Sequence, residues 1–296
     1  MGSNFRLDIP SLKMIAAMVL AGSIGVFVVE SGEPALTVVF FRCLIGGGTL
    51  LLYCLIAHPK ILYKLTRRTF FLMCLSGLTM AANWLLFFMA YSHASISMVT
   101  TVYHVYPFVL LFASAMLFHE KITLPSFAWA ALAFAGVALV AMGGNNGAVM
   151  DVTGLALTMA AMTCYAITLL ITKYLSNSPT DLLSVVQLLV GAILLLPLAG
   201  MDGLRIGADS WKYLLVIGVV HTALLYMLLY GAVQSLDTNR VAILSFLYPL
   251  TALIFDVLVY DVRPGTAQIL GLAAIIIAVL GERLKLHKSK DRCADC

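Results

Sequence analysis

The chain has 296 residues, of which 62% are hydrophobic and 11% charged; its mean hydropathy is +1.01 and its net charge +4. A water-soluble domain carries about 45–50% apolar and about 25% charged residues. Aqueous packing cannot absorb the difference, so the surface must face lipid. Spans of about 20 residues use up this length roughly ten times over and leave no soluble domain of useful size.

In chain order, apolar spans are expected at 12–29, 34–57, 69–91, 96–118, 124–142, 152–175, 182–200, 211–236, 241–260 and 266–281. Turn-formers separate them: Ser31-Gly32-Glu33-Pro34, the glycine- and asparagine-rich 143–147, Ser176-Asn177-Ser178-Pro179 and Arg263-Pro264-Gly265. Each span must satisfy its own backbone hydrogen bonds in lipid, so the spans are helices, and their continuous apolar runs exclude alternating barrel strands. The first span lacks a small-residue cleavage site and is followed at once by others, so it reads as a membrane helix, not a leader.

Lysine and arginine set the orientation. With the N-terminus inside, fourteen fall on the cytoplasmic side, among them Arg6, Lys60, Lys121, Lys173, Arg240 and Lys285. Three, Arg205, Lys212 and Arg263, fall outside, and Arg42 lies within a span. Both termini are therefore expected in the cytoplasm, with the protein in the cell inner (plasma) membrane. The basic net charge belongs to these loops, and no nucleic-acid motif accompanies it.

A weak repeat runs through the chain at a shift of 142 residues: Tyr106-Pro107 matches Tyr248-Pro249, Ala90 matches Ala232, and Trp84 and Phe88 align with Tyr226 and Tyr230. Pro34 and Pro179 precede spans two and seven with a slightly different shift. An odd number of crossings per repeat inverts the second copy, an arrangement common in secondary transporters. The expected fold is all-α, with ten transmembrane helices as two inverted five-helix repeats around a central cavity. Residues 1–146 form the first repeat, 147–284 the second, and 285–296 a basic cytoplasmic tail.

Several stretches resemble the EamA family of the drug/metabolite transporter superfamily: Ala90-Tyr91-Ser92-His93-Ala94, Val105-Tyr106-Pro107, His119-Glu120-Lys121-Ile122-Thr123 and Gly136-Val137-Ala138-Leu139, echoed by Ala232, Tyr248-Pro249, Asp261-Val262-Arg263 and Gly271. Arg42 stands where family members often have an arginine. The sequence departs from the family pattern at His119, at Asp261 and in a first helix without Trp-Gly. The resemblance implies two five-helix bundles around a cavity, with the fifth and tenth helices peripheral, and cargo such as amino acids, nucleotides or vitamins.

Polar groups at membrane depth are costly and mark candidate sites. Arg42 needs an anion, carbonyls or water; one reading pairs it with Asp256, the other with a cargo carboxylate. His104 and His221, both near mid-depth, either bond neighbouring hydroxyls or relay a proton, since histidine titrates near neutral pH. Asn83, Trp84, Tyr103, Tyr106, Tyr165, Tyr226, Tyr230, Phe246 and Tyr248 are candidate walls of a cargo site; plain packing is the alternative. Pro107 and Pro249 remove a helical hydrogen bond and bend their helices, as gates or as simple kinks. Small residues in spans five and ten read as packing surfaces, including for a homodimer. Gly46-Gly47-Gly48 reads as packing.

No Walker loop, GxSxG or HExxH stands on a span, so neither an enzyme nor a cofactor or metal site is expected. The terminal Cys293 and Cys296 read as part of a disordered tail. The expected function is a secondary carrier exporting amino acids or related small metabolites. An uptake carrier for a nucleoside, nucleotide-like cofactor or vitamin is the alternative within the class; a channel or membrane assembly subunit is the alternative outside it.

Overall fold

A computed structural model describes residues 8–57, 65–93, 96–143, 151–200, 204–261 and 263–294. Thirteen α-helices occur among them: α1 (Ile9–Ser31), α2 (Ala35–Ala57), α3 (Arg67–Ala90), α4 (Ile96–Tyr103), α5 (Tyr106–Phe118), α6 (Leu124–Gly143), α7 (Val152–Tyr174), α8 (Thr180–Ala199), α9 (Trp211–Gly218), α10 (Leu225–Ser235), α11 (Thr238–Ser245), α12 (Leu247–Tyr260) and α13 (Thr266–Ala294). A π-helical turn, Val219–Leu224, joins α9 to α10. Among the described residues there is no strand.

These helices form ten spans, because α4 with α5, α9 with α10, and α11 with α12 each make one broken crossing. Nine spans are long and apolar enough to cross a membrane, and Thr266–Glu282 is a shorter apolar helix. The breaks have a local cause. The ring of Pro107 clashes with the carbonyl four residues back and offers no N–H to it, so α4 stops at Tyr103 and α5 resumes at Tyr106. Pro249 does the same to span nine, where Phe246 separates α11 from α12.

The contacts follow a pseudo-two-fold. The α3 helix packs on α7 as α1 packs on α9 and α10, and α4 and α5 pack on α7 as α11 and α12 pack on α1. The α8 helix packs on α3 as α2 packs on α9 and the π turn. Spans two and seven (α2, α8) meet each other, as do spans five and ten (α6, α13). The only two non-glycine residues with positive φ among those described, His119 (φ 55°) and Asp261 (φ 52°), end the corresponding helices α5 and α12. Their spacing is the 142-residue shift of the sequence repeat. The molecule is thus two inverted five-helix repeats. Spans three, four and six make one packing group, and spans one, eight and nine make its image.

Close approach at the axes needs glycine. A Cβ on Gly77 would lie 2.8 Å from Val190 Cβ, and one on Gly218, at the matching crossing of the other half, would lie 2.5 Å from Ile45 Cβ. The small-residue stripes of spans five and ten face each other within the chain, where a Cβ on Gly136 would meet the Gly271 carbonyl at 2.6 Å. The surface expected to serve a homodimer is therefore taken up by intramolecular packing. Gly46 and Gly47 pack as expected, whereas Gly48 faces open space.

An Arg240–Asp8 ion pair of 3.2 Å places the start of α1 and the start of α11 on the same face; this face, which also receives the end of α13, is the terminal face. The expectation of a disordered tail is corrected in part: α13 continues to Ala294 through Cys293, because the last apolar span runs on without a helix breaker. Cys296 and the 146/147 repeat boundary lie outside the described residues.

Candidate cargo site between the repeats

Span two carries Arg42 into the bundle. Its Nε donates to Thr222 Oγ1 at 3.2 Å and an Nη donates to the His221 carbonyl at 3.5 Å. Its guanidinium lies over Trp84 of α3, 5.2 Å from the ring centroid, a geometry that favours a cation. The π turn makes this possible. It widens the helix and lets Thr222 donate back to the Ile217 carbonyl at 2.8 Å while accepting from Arg42. π turns of this kind recur at functional sites.

The expected Arg42–Asp256 pair does not form. Asp256 is exposed on the outer side of α12, and none of the ion pairs among the described residues includes Arg42. A guanidinium has five N–H donors, and among the described residues two of them have hydrogen-bond partners.

The tyrosines converge from both halves. Tyr103 lies 5.9 Å from Tyr165 and 5.7 Å from Tyr106, and Tyr106 lies 4.8 Å from Tyr165. Tyr103 donates to Asn83 Oδ1 at 2.9 Å, which gives the buried amide its partner. The Tyr106 hydroxyl reaches Ser245. Tyr226 and Tyr230 pack edge to face at 5.0 Å. The Arg42 charge is within electrostatic reach of the Tyr165, Tyr226, Tyr230 and Tyr248 hydroxyls. Spans two, three, four, six, eight and nine therefore bring one cation, several neutral hydroxyls and aromatic faces to one place.

The two histidines are not in contact. His104 stacks on Tyr248 at 5.6 Å, and its Nδ1 faces the Thr100 carbonyl at 2.6 Å. A carbonyl only accepts, so Nδ1 carries the proton. His221 packs against Phe27 and shares a 2.9 Å bond with Ser23 Oγ through Nε2. No bond or ring contact joins the two rings, so a direct relay between them has no path in this state.

Phe246 stands apart from the cluster. Its fully buried ring belongs to a second core with Leu111, Ala130, Val137 and Ile275, 6.4 Å from Phe108. The break before Pro249 turns it toward α6 and α13, away from the tyrosines. Pro107 and Pro249 are themselves at the two breaks.

One buried polar residue beside the cluster drew no notice in the sequence. Gln187 of α8 is 1% exposed. It donates to Ser76 Oγ at 2.9 Å and to the Ser76 carbonyl at 3.3 Å, and accepts from the Tyr230 hydroxyl. The signal was present: Gln187 follows Pro179 by the same eight residues that separate Arg42 from Pro34.

Inverted repeats, broken helices at matching depths and a polar cluster between the halves define a membrane carrier of the inverted-repeat class. The model of the EamA-like transporter family matches residues 9–142 and again 152–281, so the chain belongs to that family. It is 28% identical over 271 residues to the uncharacterized transporter YxxF of Bacillus subtilis, covering 89% of this chain and 86% of that one. It is 27% identical over 167 residues to the threonine/homoserine exporter RhtA of Salmonella typhimurium and 25% identical to that of Escherichia coli K12, in each case across 55% of this chain and 56% of the relative. A solved crystal structure superimposes with a TM-score of 0.82 over 92% of this chain and 97% of its own, at 16% identity, a likeness of fold.

Proposed function

We propose that this chain is a secondary carrier in the cell inner membrane, with both termini cytoplasmic, that exports amino acids or closely related metabolites by alternating access. The repeats are residues 1–146 and 147–284, followed by a basic tail, 285–296. The observation that carries the reading is Arg42: a cation at membrane depth with no acid paired to it among the described residues, open donors and an aromatic wall. A cargo carboxylate supplies the missing anion and suits the planar guanidinium fork. The fourteen-to-three distribution of basic residues supports the orientation. The names of the RhtA exporters support an amino-acid cargo.

Asn83, Trp84, Tyr103, His104, Tyr106, Tyr165, Tyr226, Tyr230 and Tyr248 line the cargo site in this proposal, with Pro107 and Pro249 as gating kinks. Phe246 supports one of those kinks from the peripheral core. The tyrosine cluster favours a second reading, an uptake carrier for cargo with a planar ring.

Purified protein in liposomes tests this. Saturable counterflow of threonine or homoserine, lost in Arg42→Gln, is expected. Counterflow of nucleosides only supports the second reading, and unsaturable ion conductance removes the carrier altogether. Proton coupling is assigned to His221, whose Nε2 bonds the Ser23 hydroxyl across the span one–span eight seam while its Nδ1 faces the Val216 carbonyl of its own span. An imposed pH gradient then accelerates transport by the native protein and not by His221→Gln; equal acceleration in both excludes His221.

A further inference from the structure

Lys173 lies in the last turn of α7, where a cation interacts favourably with the helix end. Its ammonium has three protons, and all three are used: Glu120 Oε1 at 2.6 Å, Thr238 Oγ1 at 2.8 Å and the Leu236 carbonyl at 3.1 Å. The second Glu120 oxygen accepts from Thr238 N at 3.2 Å. That amide belongs to the first turn of α11, which has no partner within its own helix. The Thr238 hydroxyl passes its proton to Ser114 Oγ at 3.0 Å. The set is closed and dry at its centre, with Ser114 0% and Thr238 1% exposed.

The bonds cross a particular seam. Ser114 and Glu120 end span four and Lys173 ends span six, both in one packing group. Leu236 and Thr238 link spans eight and nine, in the other. Three further bonds cross beside them: Gln234 Nε2 to the Leu175 carbonyl at 3.0 Å and the Ser178 carbonyl at 3.3 Å, and Asn239 Nδ2 to the Lys121 carbonyl at 3.3 Å. All lie at the terminal face.

The inverted repeat says what stands opposite. A shift of 142 residues carries Glu120, Lys173 and Thr238 to Val262, Ser31 and Ile96. An acid, a base and a hydroxyl become two aliphatics and a serine, so the opposite face cannot build this cluster.

Resting on the carrier reading above, we propose that Glu120, Lys173 and Thr238 form a one-sided clasp that shuts the terminal face, must open in every transport cycle, and biases the resting carrier toward the state open at the opposite face. An interaction made in one of two states shifts their populations by its own free energy.

Amide hydrogen exchange on the full-length protein in nanodiscs, without cargo, tests the clasp with Thr238→Val and with the double variant Glu120→Gln/Lys173→Met. Thr238→Val preserves shape, and the double variant leaves no orphan charge. Expected is an increase of about tenfold in exchange over residues 119–123 and 236–241, the effect of losing one charge-assisted bond from one state. It is accompanied by slower exchange at the opposite face, around Ser31 and Tyr260. An increase at the terminal face with the opposite face unchanged reduces the cluster to local packing and overturns the proposal, as does no change at either face. This reciprocity can hold even when no amino acid shows counterflow, so the clasp and the cargo assignment fail separately.

Discussion

Spans two and seven occupy equivalent places in the inverted halves and make equivalent crossings with unlike chemistry. From α2, Arg42 reaches the π turn of span eight; from α8, Gln187 reaches Ser76 of span three. Ile45 packs on Gly218 as Val190 packs on Gly77. The backbone frame is shared, and the difference is in saturation. Gln187 has a donor and an acceptor partner and 1% exposure; it is finished as a structural tie. Arg42 is half-buried with donors to spare. The scaffold is symmetric, and the hydrogen bonding of the buried polar group is complete in one half and incomplete in the other. Span eight follows suit: it carries a π turn where span three is continuous α-helix.

The largest effect that bears on this contrast is expected from Arg42→Gln, which makes the two halves alike. Counterflow should fall by about two orders of magnitude, the consequence of losing a charge-assisted contact to cargo of about 2–3 kcal/mol, while the thermal midpoint stays close to that of the native protein. A large fall in stability with unchanged transport would make Arg42 the tie and not the site. Gln187→Leu should do the reverse. It orphans the Tyr230 hydroxyl and the Ser76 hydroxyl, at a cost of about 1–3 kcal/mol, visible as a lower unfolding temperature; cargo affinity of the folded fraction should hold within about threefold.

The smallest effect concerns pH. Burial alone would raise the Glu120 carboxyl, but the Lys173 ammonium and the Thr238 amide outweigh it and hold the group below the ordinary glutamate range. A carboxyl lowered in the folded state contributes above its unfolded value of about 4.3 and loses that contribution as pH falls through the lower folded value. Exchange over 236–241 should therefore be flat from about pH 5 to pH 8 once corrected for intrinsic rates, and rise only below about pH 4. Asp151, at the far end of span six, is likewise lowered, first by the Gly154 amide it caps and then by His93.

Much of the fold was legible because its determinants are local. Span lengths follow from hydropathy and the bilayer. The breaks at 104–105 and 246 follow from Pro107 and Pro249, and the inversion follows from an odd number of crossings. The site was legible as residue types: Arg42, Asn83, Trp84 and the tyrosines stand out because polar and amphipathic side chains are scarce at that depth.

Which of them meet was left to tertiary structure. In a soluble helix the buried face declares itself by contrast with a charged one; here lipid and core are both apolar, so no stripe says which way a span turns. That ambiguity is why Phe246 belongs to the peripheral core, why the small faces of spans five and ten close on each other, and why Arg42 meets a π turn 180 residues away and not Asp256. The chain's own pattern determined how often it crosses and where each crossing bends. Only packing decided which polar groups are satisfied at home, as Gln187 is, and which, as Arg42, are left with donors open.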